Sequence, residues 1–256
     1  VPRNKQYFLK AVRKADMTLT DTRIRRFEQK LVIQPRFVAF VKRWLHHACI
    51  VDPVFPANPV FSIYFDTPAL DSYHECLNGD VYKNKVRLRW YQVPVAGQKL
   101  TAYIEIKSKA GFGTDKRRRA VPLEGAELLP ANLTALIRKL ALERVLPEMG
   151  WLPPGQLGPV VIISYRRQRF REPTTGLSVT YDTDISSRPV GPRFPCRVSG
   201  MTLHATVLEL KGGTTVLPRN LYALKQAGPR WSAFSKYARC VESHRPPPES
   251  ADWWQE

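Results

Sequence analysis

The sequence predicts an α+β domain built on an antiparallel sheet or barrel. Three observations carry this. About eight segments alternate polar or charged with apolar residues at period two, the mark of strands with one buried face. Tight turns and two helical insertions connect them, as antiparallel neighbours allow. No repeat of fixed period occurs, and 256 residues suit one large domain.

Residues 1–22 are weakly patterned and read as a lead-in. Arg25 to Ile33 reads as a strand with Arg26, Glu28 and Lys30 on one face and Phe27, Leu31 and Ile33 on the other. Pro35 suits a first helical turn, and Phe37, Phe40, Val41, Trp44 and Leu45 follow at helical spacing. A Pro-rich loop, Pro53 to Pro59, precedes a strand at Val60–Phe65. Thr67-Pro68 predicts the start of a short helix that ends near Leu77, before Gly79.

The next strand, residues 81–93, sets Lys83, Lys85, Arg87, Arg89 and Tyr91 on one face and Asn84, Val86, Leu88 and Trp90 on the other. Four cations in a row, roughly 6.5–7 Å apart, repel one another unless something anionic lies along them. After a turn at Gly97, Leu100–Lys109 places Tyr103, Glu105, Lys107 and Lys109 opposite Ala102, Ile104 and Ile106. A Gly111/Gly113 loop leads to a basic strand from Lys116 to Leu123, whose register selects either Lys116 and Arg118 or Arg117 and Arg119.

Asn132 is expected to cap a helix carrying Leu133, Leu136, Ile137, Leu140 and Val145, which stops before Pro147. Val160–Phe170 begins apolar, turns basic and forms a hairpin with Gly176–Asp182. Residues 189–200 form a link, Met201 to Lys211 a further strand, and the last helix lies near Ser232–Ser243. The tail from Arg245 reads as a flexible Pro-rich segment. The expected organisation is therefore a lead-in at 1–22, one domain at 23–244 and a tail at 245–256.

The balance of 40 Lys+Arg against 22 Asp+Glu, a net charge of +18, predicts an acidic partner: nucleic acid, an anionic membrane or a polyphosphorylated ligand. Specific nucleic-acid binding is disfavoured, because zinc-finger, RNP-like and basic-arm patterns are missing. Four scattered cysteines without Cys-x-x-Cys argue against a zinc ribbon and read as free thiols of a cytoplasmic protein. No apolar run reaches the length of a membrane helix and no signal peptide opens the chain. A membrane segment outside this sequence, or a membrane-anchored partner, is left open, as is the oligomeric state.

Three strands repeat one pattern: Glu28-x-Lys30, Glu105-x-Lys107 and Glu209-x-Lys211. One copy means little, because solvated strand faces produce it often. Three copies with apolar opposite faces, joined by Lys85, Arg87, Arg89, Arg167 and Arg169, leave two geometries. A closed barrel would turn the charged faces inward, as a tunnel for a chain of phosphates with Mg²⁺ or Mn²⁺ on the carboxylates. An open sheet would carry one solvated, salt-bridged face.

These residues resemble the triphosphate tunnel metalloenzymes of the CYTH-like superfamily. More closely, the chain is similar to the VTC domain, the catalytic domain of polyphosphate polymerases. The motifs are Ser62-Ile63-Tyr64-Phe65-Asp66-Thr67, Arg87-Leu88-Arg89-Trp90-Tyr91, Ser164-Tyr165-Arg166-Arg167, Tyr181-Asp182-Thr183, Val207-Leu208-Glu209-Leu210-Lys211 and Phe234-Ser235-Lys236-Tyr237, in that order across residues 23–242.

The resemblance implies an eight-stranded antiparallel β-barrel tunnel with flanking helices. It implies a phosphotransferase that lengthens inorganic polyphosphate from a nucleoside triphosphate, expected to be ATP, with Mn²⁺ or Mg²⁺. Arg87, Arg89, Lys107 and Glu209 would be catalytic. Lys30, Lys85, Lys116, Arg118, Tyr165, Arg167, Lys211, Ser235 and Lys236 would join Arg87, Arg89 and Lys107 in holding phosphates. Glu209 would hold the metal, with Glu28 and Glu105 as further ligands or as partners that orient the lysines. Two positions depart from the family: Ser178 and Ala233 stand where an Arg and a Lys are usual. Arg166, Arg169 and Arg188 are candidates to replace the missing charge. A triphosphatase or nucleotide phosphohydrolase, and a domain that only binds polyphosphate or inositol phosphates, are the alternatives.

Overall fold

The computed structural model describes residues 27–111, 113–191, 200–214, 216–226, 230–231 and 234–245. The expected lead-in, Arg25, Arg26, Cys196, Ala233 and nearly all of the tail lie outside them. The strands are β1 Phe27–Ile33, β2 Ile50–Val51, β3 Ala57–Asp66, β4 Tyr82–Trp90, β5 Lys99–Ala110 and β6 Gly113–Glu124. They continue as β7 Gly158–Arg171, β8 Ser178–Pro189, β9 Met201–Leu203, β10 Thr206–Gly212 and β11 Arg230–Trp231. The helices are α1 Val38–Ala48, α2 Asp71–Leu77, α3 Leu133–Leu140, α4 Leu142–Glu148, α5 Ala223–Gln226 and α6 Lys236–His244. The architecture is α+β, a large antiparallel sheet with flanking helices.

The apolar face of each alternating strand packs under helices. Val86, Leu88 and Trp90 of β4 join Ile104 and Ile106 of β5 and Leu136, Leu140 and Leu146 of α3 and α4. Leu31 and Ile33 of β1, Val179 and Tyr181 of β8 and Leu208 and Leu210 of β10 bury Val41 and Leu45 of α1. Each fully buried aliphatic side chain contributes about 1.5–3 kcal/mol, so these contacts force the charged residues between them onto the opposite face.

Several elements differ from expectation for local reasons. Pro59 lies inside β3, not in the preceding loop; it pairs with Arg166, while β4 joins β3 only from Phe61, so no ladder bond is lost for want of its N–H. α2 starts at Asp71, because Asp66 caps it from β3 by accepting the N–H groups of Ser72 and Tyr73 at 3.0 and 3.1 Å. The single helix expected after Asn132 breaks at Ala141 (φ 44°), and Pro147 falls within α4. Asn132 does not cap α3; its side chain donates to the Ala126 carbonyl at 2.7 Å. The expected strand from Met201 to Lys211 splits into β9 and β10, which pair with β8 on either side of Asp184 (φ 54°).

The ladder order is β11-β1-β10-β8-β7-β3-β4-β5-β6, with β2 on β7 and β9 on β8. Among the described residues, eight of the eleven strands have seven residues or more. The expectation of a closed barrel is met only in part, since among the described residues no ladder joins β6 to β11. The sheet is nevertheless strongly curled. β1 and β5 stand six places apart in the order, about 29 Å in a flat sheet. Yet Lys107 Nζ of β5 lies 3.0 Å from Glu28 Oε2 of β1. Two side chains cannot span a flat sheet, so the charged faces wrap around a common interior.

Candidate functional site

Three linked clusters occupy that concave face. In the first, Glu105 is 1% exposed and surrounded by cations: Arg87 Nη2 at 2.7 Å, Lys116 Nζ at 2.6 Å and Arg118 Nε at 3.4 Å. Arg87 also donates through Nη1 to the Tyr64 hydroxyl at 3.1 Å. Arg118 stacks over the Tyr103 ring at 3.3 Å. Arg89 is buried and donates to Ser62 Oγ at 3.0 Å. The register of β5 on β6 thus selects Lys116 and Arg118 for this face. Arg117 and Arg119 point away, to the carbonyls of Met149 and Gly150 and to Glu148 at the C-terminal end of α4, where cations are favoured.

The second cluster joins β1, β10 and β5. Glu28 bridges Lys30 at 3.1 Å and Lys107 at 3.0 Å, while Glu209 bridges Lys211 at 3.2 Å and Arg167 at 3.4 Å. Register sets Glu28 opposite Lys211 and Lys30 opposite Glu209, so the two glutamates stand diagonally across β1 and β10 with Lys30 beside both. Burial opposes ionisation of Glu209, but the charges of Lys211, Lys30 and Arg167 outweigh it and hold its pKa well below the usual carboxylate range.

The third cluster centres on Asp182, which is fully buried. Arg167 grips it with two bonds of 2.6 and 2.7 Å, and Lys236 at the start of α6 approaches to 2.7 Å. Both cations lie over the ring of Tyr165, at 5.3 and 5.0 Å. Ser235 caps α6 by accepting the N–H of Ala238, and Lys85 donates to the same hydroxyl at 3.1 Å. Tyr165 and Ser235 therefore support cations as well as lining the face.

Ten cations (Lys30, Lys85, Arg87, Arg89, Lys107, Lys116, Arg118, Arg167, Lys211 and Lys236) share the face with four carboxylates (Glu28, Glu105, Asp182 and Glu209), an excess of six positive charges. Burial pulls the Lys107 and Lys116 ammonium groups below their ordinary range despite nearby carboxylates. Such a site gains from a dense anion, which replaces lost hydration.

The three expected metal ligands do not come together. Among the described residues no group of three acidic, His or Cys side chains is placed to hold a cation. Glu105 is enclosed by Arg87, Lys116 and Arg118, which leaves Glu28 and Glu209 as a diagonal pair across β1 and β10. Two carboxylates on paired strands of a basic face fit Mg²⁺ or Mn²⁺, ions that take few protein ligands and complete their shell with phosphate oxygens and water.

Tyr64, Ser62 and Asp182 were not among the expected site residues. Alternation places Ser62 and Tyr64 on one face of β3, which was the available signal. Asp182 was obscured by the bulge between Ser164 and Arg166, which brings it opposite Arg167. Ser178 pairs with Lys211 on one side and Arg171 on the other, so the cations opposite it are these two, and Arg166, Arg169 and Arg188 pair elsewhere on β8 or β7. Arg169 is engaged with Asn58 and the Phe55 carbonyl.

The VTC domain family model matches residues 25–245. The chain belongs to the VTC domain family. A search of curated proteins matches none. Among solved structures, a Bacillus halodurans protein provisionally described as an adenylate cyclase has a TM-score of 0.43 and 13% identity, covering 89% of this chain and 95% of that one. A Vibrio parahaemolyticus protein, described likewise, has a TM-score of 0.37 and 12% identity, covering 88% and 95%. At these values neither overlap adds to the family assignment. No helix of this VTC domain, among the described residues, is long and apolar enough to cross a membrane.

Acid should loosen the domain at its charged face. Burial raises the Glu105 pKa, but Arg87, Arg89 and Lys116 bring it to about 2 from an ordinary 4.5. A carboxylate depressed in the folded state stabilises fully above its unfolded pKa and loses that contribution as pH falls through the folded one. Glu105 therefore contributes on the order of 3 kcal/mol above pH 4.5, lost as pH approaches 2. Urea unfolding of wild type and Glu105→Gln should show a stability gap at pH 7 that closes by about pH 2; a gap independent of pH would refute the assignment.

Proposed function

We propose that this VTC domain is a metal-dependent polyphosphate polymerase, transferring the γ-phosphate of a nucleoside triphosphate, ATP in the first instance, to the end of an inorganic polyphosphate chain. The observation that carries this reading is the curled face with its surplus of six charges set around the carboxylates of Glu28 and Glu209 on the paired strands β1 and β10. A face of this kind suits a flexible, dense polyanion better than a duplex, because the charges converge from opposite walls.

Phosphoryl transfer depends on positioning and charge neutralisation more than on a protein nucleophile. Arg87, Arg89 and Lys107 hold the β- and γ-phosphate oxygens, with Lys116 and Arg118 beside them. Lys30, Lys85, Lys211, Arg167 and Lys236 hold the polyphosphate chain. Glu28 and Glu209 would hold Mg²⁺ or Mn²⁺, which supplies charge neutralisation on the triphosphate when bound. A terminal phosphate oxygen of the chain attacks the γ-phosphorus in line. A new P–O bond forms, the bond to the β–γ bridging oxygen breaks, and nucleoside diphosphate leaves with that oxygen. Glu105 and Asp182 act by holding Arg87, Lys116, Arg167 and Lys236 in place.

The test is incubation of purified protein with ATP labelled at the γ-position and Mn²⁺ or Mg²⁺, with products separated by gel. Long labelled chains are expected. Release of labelled phosphate alone would make water the acceptor and the protein a triphosphatase. Tight triphosphate binding without turnover would make it a binding module.

A further inference from the structure

Tyr64 has no part in the phosphoryl transfer above, yet it stands among the cations. It lies on β3, 6% exposed, with its hydroxyl 3.1 Å from Arg87 Nη1. Its ring stacks on Tyr237 of α6 with centroids 5.0 Å apart and planes 19° from parallel. Tyr237 is itself fixed, donating to Asp66 Oδ2 at 2.6 Å. The phenol oxygen is therefore held against Arg87 by a packed ring rather than by a free side chain.

A guanidinium has five N–H donors. Glu105 Oε2 takes Nε–H at 2.8 Å and one Nη2–H at 2.7 Å, and Tyr64 takes one Nη1–H. One donor on each terminal nitrogen remains for an anion. Without the phenol, nothing fixes the Nη1 edge.

We propose that Tyr64 is a positioning residue for Arg87: its phenol oxygen fixes one edge of the guanidinium while two N–H groups remain for phosphate, and loss of the phenolic proton turns this contact into an ion pair that weakens polyanion binding. The proposal rests on reading the concave face as a phosphate site.

The surroundings favour that proton loss. Burial opposes it, but Arg87, Arg89, the Arg87 hydrogen bond and Lys85 outweigh burial and bring the phenol to about 8. The charged and titratable groups around it are Lys85, Arg87 and Arg89 on β4, Lys30 on β1, Glu105 through Arg87, and Tyr237 on α6. A phenolate adds one negative charge where triphosphate must bind. A bound triphosphate, in turn, drives the phenol back toward its neutral form. Binding above pH 8 thus takes up a proton, and the dissociation constant rises toward tenfold per pH unit.

The experiment compares wild type with Tyr64→Phe, which keeps the stacked ring. Absorbance at 295 nm should show one phenol fewer titrating near pH 8 in the variant. Calorimetric titration with inorganic tripolyphosphate, without metal, should show that wild type loses about tenfold more affinity than the variant between pH 7 and pH 9. The comparison removes the titration of the ligand itself and of Lys107 and Lys116. Equal losses in the two proteins, or unchanged absorbance curves, would overturn the proposal. If wild type fails to bind tripolyphosphate at pH 7, the functional reading fails, while the absorbance titration still decides whether Tyr64 ionises beside Arg87.

Discussion

Arg87→Ala should abolish the proposed ATP-dependent polyphosphate synthesis: the expected loss is at least about a thousandfold in rate, the scale seen when a charge on a transferring phosphoryl group is removed. Arg87 is fixed along two edges of its guanidinium. Its guanidinium is clasped by Glu105 and Tyr64, and its pKa is raised far above any working pH, because Tyr64 and Glu105 outweigh burial. A charge held this way needs no reorganisation when the phosphate arrives. The fold should survive, since Lys116 and Arg118 still neutralise Glu105. Arg119→Ala is the control: it removes an equal charge that faces Glu148 outside the site. Labelled polyphosphate on a gel reads both variants. Synthesis by Arg87→Ala within tenfold of wild type would sink the assignment of Arg87 to the transferring phosphate.

Asp182→Ala should be among the most damaging single substitutions for stability. The carboxylate is inaccessible to water and accepts three charge-assisted bonds from Arg167 and Lys236. Burial disfavours its charge, yet these two cations hold its pKa below the ordinary range. Removing one partner of a buried ionic cluster leaves the others uncompensated and costs about 3–5 kcal/mol. For a domain of this size that corresponds to roughly 10 °C in melting temperature. Urea and thermal unfolding at pH 7 measure it, and a loss below about 1 kcal/mol would show that Arg167 and Lys236 do not depend on Asp182. Asp182→Asn, which keeps the shape and loses the charge, should fall between the two.

These expectations draw on different levels of information. Arg87, Glu105 and Lys107 were legible as members of one charged face because period-two alternation separates them from Val86, Ile104 and Ile106. Lys116 and Arg118 were legible only as one of two registers. The ladder between β5 and β6 decides it, opposing Lys107 to Lys116 and Glu105 to Arg118. The expected ligand set of Glu28, Glu105 and Glu209 came from the family resemblance, laid over the E-x-K pattern that three strands share. Spacing within a strand says nothing about which strands meet, and β5 gives its glutamate to Arg87 while the pairing of β1 with β10 sets theirs on one patch of the face.

By itself, the sequence determined the alternation, and with it the two faces of each long strand, the helical stripe of α1 and the strongly basic character of one face. Those properties follow from side-chain periodicity, which is local. Only the tertiary structure decided that the basic faces converge, that Glu28 of β1 reaches Lys107 of β5, and that Tyr64 and Asp182 hold the guanidinium groups of Arg87 and Arg167. The physical reason is that curl, strand order and the β7 bulge arise from packing between elements distant in the chain. Those features set which charges share a few ångströms, and no periodicity within one strand encodes them.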